Sequence, residues 1–302
     1  MTRQTKTFLL ERFREMGIRP ATRHGQNFLI DLNLVRLIVE SAELTADDVV
    51  LEVGTGTGSL TALMAPLVAG VVTVEIDAHL FELASEQLID YPNVTMLKLD
   101  ALRNKNNFDN RVMEAVGEHL AAAAGRRFKL VANLPYNIAT PVISNLLLTR
   151  HVPDSMTVTI QKELADRITA PPSTKDYSAL SVWIQSQCTA EIVRVMPPSV
   201  FWPAPKVSSA ILRIVVDHER RAAIGELEYF HQIVKALFLH RRKFLRANIV
   251  AAMKRHLTKQ QVDELFEEMG FAADTRTEQL DVTTLLRLAQ RLRAAAPDWK
   301  LS

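Results

Sequence analysis

The chain has 302 residues, 48% of them apolar, and a net charge of only +2, so it can bury a full core and is neither a disordered nor a membrane-spanning chain by composition. Its single cysteine, Cys188, excludes an internal disulfide and a thiolate zinc cluster, and we expect no metal site. Basic residues are in excess at both ends, in 1–24 and 218–302, which favours a polyanionic partner held from the periphery.

The start of the chain carries no apolar stretch of the kind that a signal peptide needs. The longest apolar run, residues 67–74, is too short to cross a bilayer. We therefore expect a cytoplasmic protein without a membrane segment, and the reducing cytoplasm also suits a chain with one cysteine. We expect it to be a monomer.

From residue 49 onward, short β-rich runs alternate with helical stretches. Seven strands are predicted over 49–53, 71–76, 94–99, 128–132, 156–160, 190–195 and 210–216. Helices are predicted over 59–68 and 78–90, and residues 103–127 resemble an insertion with one helix. This alternation predicts an α/β fold with a mainly parallel seven-stranded sheet, which binds ligands beyond the carboxyl ends of its strands.

The pattern after residue 217 is helical only. Helices are predicted over 227–252, 259–269 and 282–295, and Gly270 is a stop signal for the second of them. We therefore predict a first domain over 1–217, with an N-terminal arm over 1–24, and a small all-α domain over 218–302.

A glycine-rich turn follows the first predicted strand. Gly54, Gly56 and Gly58 allow the backbone to turn sharply and to approach a ligand closely. Glu75, at the end of the second strand, can accept both ribose hydroxyls of an adenosine, and Asp100, at the end of the third, can accept from the adenine amine. The G-x-G-x-G spacing disfavours the pyrophosphate turn of dinucleotide enzymes. The three features together predict a site for S-adenosylmethionine.

The tetrapeptide Asn133-Leu134-Pro135-Tyr136 follows the fourth predicted strand. The Asn133 side-chain oxygen and the Leu134 carbonyl are two acceptors that can pyramidalise an adenine N6 amine, whose lone pair is otherwise delocalised into the ring. Pro135 fixes the backbone, and the Tyr136 ring can stack on the base and favour the positive charge of the transferring methyl. No general base is needed. The tetrapeptide predicts methyl transfer to a nucleobase that has been taken out of its stack.

With these two sites, the chain resembles the ribosomal RNA adenine N6,N6-dimethyltransferases that act on small-subunit RNA. The resemblance covers about residues 20–255. The segments that carry it are 24–29, 52–61, 74–77, 100–102, 132–137, 161–163, 166–167, 201–209 and 241–243. Thr55 stands where the family usually has proline, and Ser178 and Ser208 also depart from its pattern.

The resemblance implies a Rossmann-like class I methyltransferase fold and S-adenosylmethionine as the methyl donor. It implies that Phe201 lines the target-adenine pocket opposite Tyr136. It assigns to the cofactor Gln26, Asn27, Leu29, Gly54, Gly56, Gly58, Glu75, Ile76, Asp100, Ala101 and Asn133. The implied substrate is a pair of adjacent adenosines in a 3′-end hairpin loop of small-subunit RNA, each receiving two methyl groups within an immature ribosomal subunit.

A basic segment over 240–259 contains seven arginines and lysines and no acid, and phosphates are its natural partner. We expect Arg242 and Arg246 to share a helix face. Phe238 and Phe244 are predicted to be core residues. The predicted RNA contacts are Lys206, Arg241, Arg242, Lys243 and Arg246.

Four alternatives remain open from the sequence. The related large-subunit methyltransferase that confers macrolide resistance shares both motifs. A ribosome-assembly factor can keep the fold and lose catalysis, although the intact tetrapeptide argues against that loss. A DNA adenine methyltransferase would need a specificity domain that is not evident, and a NAD-dependent dehydrogenase would have no use for the tetrapeptide.

Overall fold

The computed structural model describes residues 26–300 together with Thr7, Glu11 and Phe13, so most of the predicted N-terminal arm lies outside the described residues. The chain divides into two compact units. The first comprises the described residues up to Ala165 together with Glu191–Val215, and the second comprises Asp166–Ala190 and the chain from Val216 onward.

One crossing of the chain between the two units, at Val215–Val216, lies beside the boundary predicted at residue 217, but the second unit also takes in residues 166–190, which the prediction placed in the first domain. The reason is visible within that unit. The Trp183 ring stacks on His231 with 4.4 Å between centroids, and it packs against Phe230 at 6.5 Å.

The strands are β1 Phe28–Leu29, β2 Asp48–Val53, β3 Gly70–Glu75, β4 Val94–Lys98, β5 Leu102–Asn104, β6 Asn107–Phe108, β7 Arg127–Asn133, β8 Ser155–Gln161, β9 Cys188–Met196, β10 Phe201–Trp202 and β11 Ser209–Val216. The helices are α1 Leu32–Ser41, α2 Ser59–Met64, α3 Ala78–Leu88, α4 Asn110–Ala121, α5 Ala139–Leu146, α6 Lys162–Thr169, α7 Ala179–Gln185, α8 His218–Ile224, α9 Leu227–Phe238, α10 Leu245–Ala252, α11 Lys259–Met269 and α12 Val282–Ala295.

The seven-stranded sheet has the order β4-β3-β2-β7-β8-β11-β9. Strands β4, β3, β2, β7 and β8 are parallel, and β11 runs antiparallel to β8, with Ser209 opposite Gln161. The prediction of a mainly parallel seven-stranded sheet is therefore confirmed. Every residue of β2 and β3 is buried, as expected for strands covered on both faces. The strands β3 and β4 lie on one side of β2, and β7 and β8 lie on the other side, so the strand order reverses between β2 and β7. Ligands bind at such a switch point.

Aspartate residues are the N-caps of five of the helices. At each of these N-termini an Asp carboxylate accepts hydrogen bonds from main-chain N–H groups of the first turn, which would otherwise lack partners. The capping residues are Asp31, Asp77, Asp109, Asp217 and Asp281. Asp77 places the start of α3 directly after the end of β3, at the edge where the candidate site lies.

Two predicted helices of the first unit are more complex than expected. The helix predicted over 59–68 ends at Met64 and continues as a 3-10 turn, Ala65–Leu67, which contains Pro66. Proline lacks the N–H that an α-helical hydrogen bond would need there. The predicted insertion over 103–127 contains its one helix, α4, and the β5–β6 hairpin comes before it.

The prediction of one continuous helix over 227–252 is wrong. It consists of α9 and α10, separated by residues 239–244. Phe244 adopts an extended conformation as the N-cap of α10, and the Leu245 N–H donates to the Thr275 carbonyl at 2.7 Å. Apolar residues recur at helical spacing through the break, so the sequence pattern did not reveal it.

The second unit is mainly helical. It also holds the first residues of β9, the last residue of β11 and a bridge between Phe244 and Arg276, and its helix α9 packs against α7, α10 and α12. The buried Asn248 side chain donates to the Leu237 carbonyl at 3.0 Å, which fixes α10 against α9. Helix α11 ends at Gly270 in the left-handed conformation, so the predicted stop signal is confirmed.

Candidate active site

The carboxyl ends of β2, β3 and β7 open onto a cleft in the first unit. Most of the predicted cofactor and acceptor residues line it: Gln26, Asn27, Leu29, Gly54, Gly56, Glu75, Ile76, Asp100, Ala101, Asn133, Leu134, Pro135 and Tyr136. Gly58 and Phe201 are not among the lining residues. Most of the residues predicted for the site therefore line one cleft, and the other two, Gly58 and Phe201, lie behind its lining.

The glycine turn is held close to its neighbours. Gly54 has φ +88°, and its N–H donates to the Val74 carbonyl at 2.9 Å. Gly56 has φ +56°, and a Cβ atom there would lie 3.4 Å from the Phe28 ring. Gly58 has φ +81° and faces Ala84 on α3. Glycine at 54 and 56 thus serves the cleft, whereas glycine at 58 serves helix packing.

Glu75 is held ready as a hydrogen-bond acceptor. Its Oε2 accepts from the Gly56 N–H and its Oε1 from the Asp77 N–H, both at 2.9 Å. Burial raises the pKa of this carboxyl above its ordinary value, and the two N–H donors oppose that rise. The side chain is therefore fixed at the end of β3, with an orientation that suits a pair of vicinal hydroxyls.

A buried chain of hydroxyls joins the glycine turn to β2. The Thr55 hydroxyl lies 2.6 Å from that of Thr73, which donates to Glu52 Oε2 at 2.7 Å. The Thr61 hydroxyl, on α2, donates to the same oxygen. Burial raises the pKa of Glu52 to about 8, although the two hydroxyls oppose the rise. Thr55 thereby ties the turn to β3.

Three residues form the side of the cleft that would face an adenine. Ile76 is 48% exposed and offers an apolar surface, and Ala101 is buried beneath the cleft. Asp100 Oδ1 accepts from the Leu102 N–H at 2.9 Å, which orients the carboxylate at the end of β4. Together with the fixed Glu75 carboxylate and the close approach at Gly56, these residues fit the adenosine half of S-adenosylmethionine.

The acceptor tetrapeptide begins at the last residue of β7. Asn133 Nδ2 donates to the Asn27 carbonyl at 2.9 Å, and the Leu134 N–H donates to the Thr159 carbonyl at 3.1 Å. Within the described part of the chain, neither Asn133 Oδ1 nor the Leu134 carbonyl accepts a hydrogen bond. The tetrapeptide thus offers two unoccupied oxygens at the cleft, while its Asn133 amide nitrogen and its Leu134 N–H are engaged elsewhere.

Tyr136 is half-buried, and its hydroxyl lies 2.5 Å from that of Ser209 on β11. Burial raises the pKa of this phenol, so it stays neutral at physiological pH. Phe201 is only 2% exposed and packs with Leu29 and Ile38 in the core. The structure therefore brings Tyr136 to the cleft, and it places Phe201 behind the lining.

Strand β1 connects the two halves of the cleft. It pairs antiparallel with β10, with Phe28 opposite Trp202 and Leu29 opposite Phe201. The Phe28 ring packs against Gly56 of the glycine turn, and the preceding residue, Asn27, holds the Asn133 amide. Two consecutive residues, Asn27 and Phe28, thus contact the acceptor side and the donor side of the cleft.

Several lining residues were missed by sequence reasoning. Val35 and Ile38 come from α1, which the pattern did not predict, and Leu80 comes from α3. Phe28 lies inside a segment that carried the family resemblance, so its position was a usable signal. Ordinary apolar residues carry no chemical signature, and only the fold shows which of them reach the cleft.

The residues predicted to contact RNA differ in whether they already form an ion pair within the protein. Arg241 pairs with Glu278, and Arg246 with Asp263 at 2.8 Å. Among the described residues, the exposed Arg242 and Lys243 have no ion-pair partner. Lys206 is exposed in the first unit.

The prediction that Arg242 and Arg246 share a helix face is wrong, because Arg242 precedes α10 and lies in the break. The core prediction for Phe244 is also wrong, since this residue is 47% exposed. Phe238 is partly buried and packs edge-on against Tyr177, with 6.0 Å between the ring centroids.

The fold and the cleft define an S-adenosylmethionine-dependent methyltransferase of class I. The comparisons with known proteins narrow this class. A model of the family described as ribosomal RNA adenine dimethylase matches residues 19–293, and the chain belongs to that family. The resemblance found in the sequence is confirmed.

Two bacterial relatives carry the name ribosomal RNA small subunit methyltransferase A. The one from Lachnoclostridium phytofermentans is 38% identical over 88% of this chain and 89% of its own length. The one from Caldanaerobacter subterraneus is 38% identical over 89% of this chain and 95% of its own length.

Two solved structures share the fold. A dimethyladenosine transferase from Plasmodium falciparum superposes with a TM-score of 0.71 at 22% identity, covering 88% of this chain and 97% of that one. The 23S rRNA methyltransferase ErmE gives a TM-score of 0.62 at 26% identity, covering 88% of this chain and 99% of its own.

Two kinds of feature were not found in the described chain. None of its helices combines the length and the apolar character that crossing a membrane requires. Its histidine, cysteine, aspartate and glutamate side chains nowhere gather into a group that could hold a metal ion.

Proposed function

We propose that this protein dimethylates N6 of two adjacent adenosines in a hairpin loop near the 3′ end of small-subunit ribosomal RNA. The observation that carries the proposal is the pair of unoccupied oxygens, Asn133 Oδ1 and the Leu134 carbonyl, at the cleft that the glycine turn lines. The names of the 38%-identical relatives support the choice of the small subunit.

The donor side of the cleft would hold S-adenosylmethionine through residues that are already oriented. Glu75 would accept from the ribose hydroxyls, Asp100 from the adenine amine, and Ile76 would cover the adenine ring. Gln26, Asn27 and Leu29 would cover the site from β1 and the segment before it. The bound cofactor supplies an electrophilic methyl group on its sulfonium.

On the acceptor side, the Asn133 and Leu134 oxygens would accept the two N6 hydrogens and turn the nitrogen lone pair toward the donor. Both oxygens are fixed before the substrate arrives, because Asn133 Nδ2 is bonded to the Asn27 carbonyl and Pro135 rigidifies the chain. The Tyr136 ring would stack on the base and favour the developing positive charge. The N6 proton is released to solvent after transfer, so no side chain has to act as a base.

We further propose that the substrate is presented within an immature small subunit and that the protein acts as a cytoplasmic monomer. The exposed Arg242 and Lys243, and Lys206 in the first unit, would contact phosphates. Arg241 and Arg246 would contribute less, because each already holds an acidic partner.

The test is methyl transfer from labelled S-adenosylmethionine to small subunits from a strain that lacks this modification. We expect label in the small-subunit RNA and dimethyladenosine after nuclease digestion. The structural likeness to ErmE favours one second candidate, methylation of large-subunit RNA. Label in naked 23S RNA and none in small subunits would select that candidate. Tight RNA binding with no transfer to either RNA would instead identify an assembly factor.

A further inference from the structure

Residues 239–244 form an exposed turn between α9 and α10, and they combine apolar and basic side chains. Leu239 is 71% exposed and Phe244 is 47% exposed, although both are large apolar residues. Arg242 and Lys243 lie between them and are exposed as well. The turn contains no acidic residue. Such a mixture differs from an ordinary solvated turn, which leaves few large apolar groups in water.

The backbone at Phe244 and at the residue after it is held in place. The residue pairs with Arg276 in an isolated antiparallel bridge, and the next residue, Leu245, donates its N–H to the Thr275 carbonyl at 2.7 Å. The Arg276 guanidinium carbon lies 5.8 Å from the centre of the Phe244 ring. The ring is therefore presented at the surface by fixed main-chain contacts, with a cation beside it.

The charges around this ring suit a polyanion. Within the described chain, Arg242 and Lys243 lack an acidic partner, whereas Arg241 is paired with Glu278. Two free cations and an exposed aromatic ring are the combination that binds single-stranded nucleic acid, because cations contact phosphates and the ring stacks on a base. An acidic protein surface would use the cations and leave the ring in water.

We propose that Phe244 is a stacking platform for an unpaired base of the RNA substrate, with Arg242 and Lys243 contacting the adjoining phosphates. This proposal rests on the proposed function, since it assumes an RNA substrate, and it adds a contact in the second unit to the adenine site in the first. Stacking requires only a π-face, so the platform accepts any base.

The experiment is an anisotropy titration of the full chain with a short, unstructured, fluorescein-labelled RNA over a series of salt concentrations. Phe244→Leu should weaken binding about tenfold, the scale of one lost base–aromatic stack, and leave the salt slope unchanged. Phe244→Tyr should bind as the parent chain does. Arg242→Ala should lower the salt slope by about one unit, because one phosphate contact is lost.

Ile89→Ala is the matched control, since Ile89 is 80% exposed in the first unit and should leave binding unchanged. Equal affinities of Phe244→Leu and the parent chain, with the parent binding well, would overturn the platform and leave the proposed function intact. A parent chain that does not bind this RNA would overturn the platform, and methyl transfer to small subunits would then decide the proposed function separately.

Discussion

Gly54 and Pro135 approach each other so closely that a Cβ atom on Gly54 would lie 3.3 Å from the Pro135 Cδ. The first residue belongs to the glycine turn and the second to the acceptor tetrapeptide. The two halves of the cleft therefore meet at a point where a side chain on Gly54 would press on the Pro135 ring. We expect the distance between methyl donor and acceptor oxygens to depend on this contact.

Gly54→Ala tests the contact. The substitution places a methyl group against Pro135 and imposes a φ of +88° on a residue with a side chain, which costs on the order of 1 kcal/mol or more. We expect weaker S-adenosylmethionine binding by calorimetry and a lower kcat in the transfer assay. Gly125→Ala is the control for strain alone, because Gly125 has φ +81° and open space around it. Equal losses of activity in both variants would contradict the role of the contact.

Thr55→Val removes the hydroxyl that joins the glycine turn to Thr73 and keeps the side-chain shape. We expect S-adenosylmethionine affinity to fall by about five- to tenfold, the scale of one buried hydrogen bond, with kcat at saturating cofactor little changed. Thr55→Ser should restore the affinity. Thr55→Val should add little to the loss already caused by Thr73→Val, because Thr73→Val removes the Thr55–Thr73 bond together with the bond to Glu52. Additive losses would show that the two threonines act separately.

Glu52→Gln tests the raised pKa of the buried carboxyl. In the folded chain Glu52 keeps its proton up to about pH 8, and on unfolding its pKa returns to 4.5, so unfolding between these values releases a proton. The contribution of Glu52 to stability is therefore full below pH 4.5 and is lost as pH rises toward 8. Glutamine does not titrate. Denaturant unfolding without cofactor should show a shallower decline of stability over this range in the variant, and an unchanged decline would contradict the assignment.

Asn133→Ala removes one of the two acceptor oxygens. We expect kcat to fall by about 10²–10³, the scale for one pre-placed polar group, with RNA affinity nearly unchanged. Asn133→Asp keeps an acceptor oxygen and loses the donor to the Asn27 carbonyl. If the hydrogen bond to the Asn27 carbonyl orients the Asn133 side chain, Asn133→Asp should also lose activity. Full activity in Asn133→Ala would remove the acceptor-site argument.

Much of the site was predictable because its chemistry sits in short polar motifs at strand ends. Glu75 and Asn133 end β3 and β7, and Asp100 lies two residues after β4, and parallel strands bring such ends to one edge. The turn at 239–244 was not predictable, because the apolar spacing of α9 continues into α10 and the break depends on bonds to Thr275 and Arg276.

The burial of Phe201 and the exposure of Phe244 could not be predicted from the sequence for a related reason. Both are phenylalanines beside basic or proline-rich segments, and their environments are set by distant partners. Leu29 pairs with Phe201 through the β1–β10 ladder, and a single bridge holds Phe244 at the surface. Pairings between residues so far apart in the chain leave no local pattern.

The length of the segment around β1 is constrained as tightly as its composition. The Asn27 carbonyl reaches Asn133, and the side chain of the next residue, Phe28, covers Gly56. Side chains alternate between the two faces of a strand, so one inserted or deleted residue here would turn the phenylalanine away and move the carbonyl off the amide in the same step. Such an indel would misalign methyl source and target together.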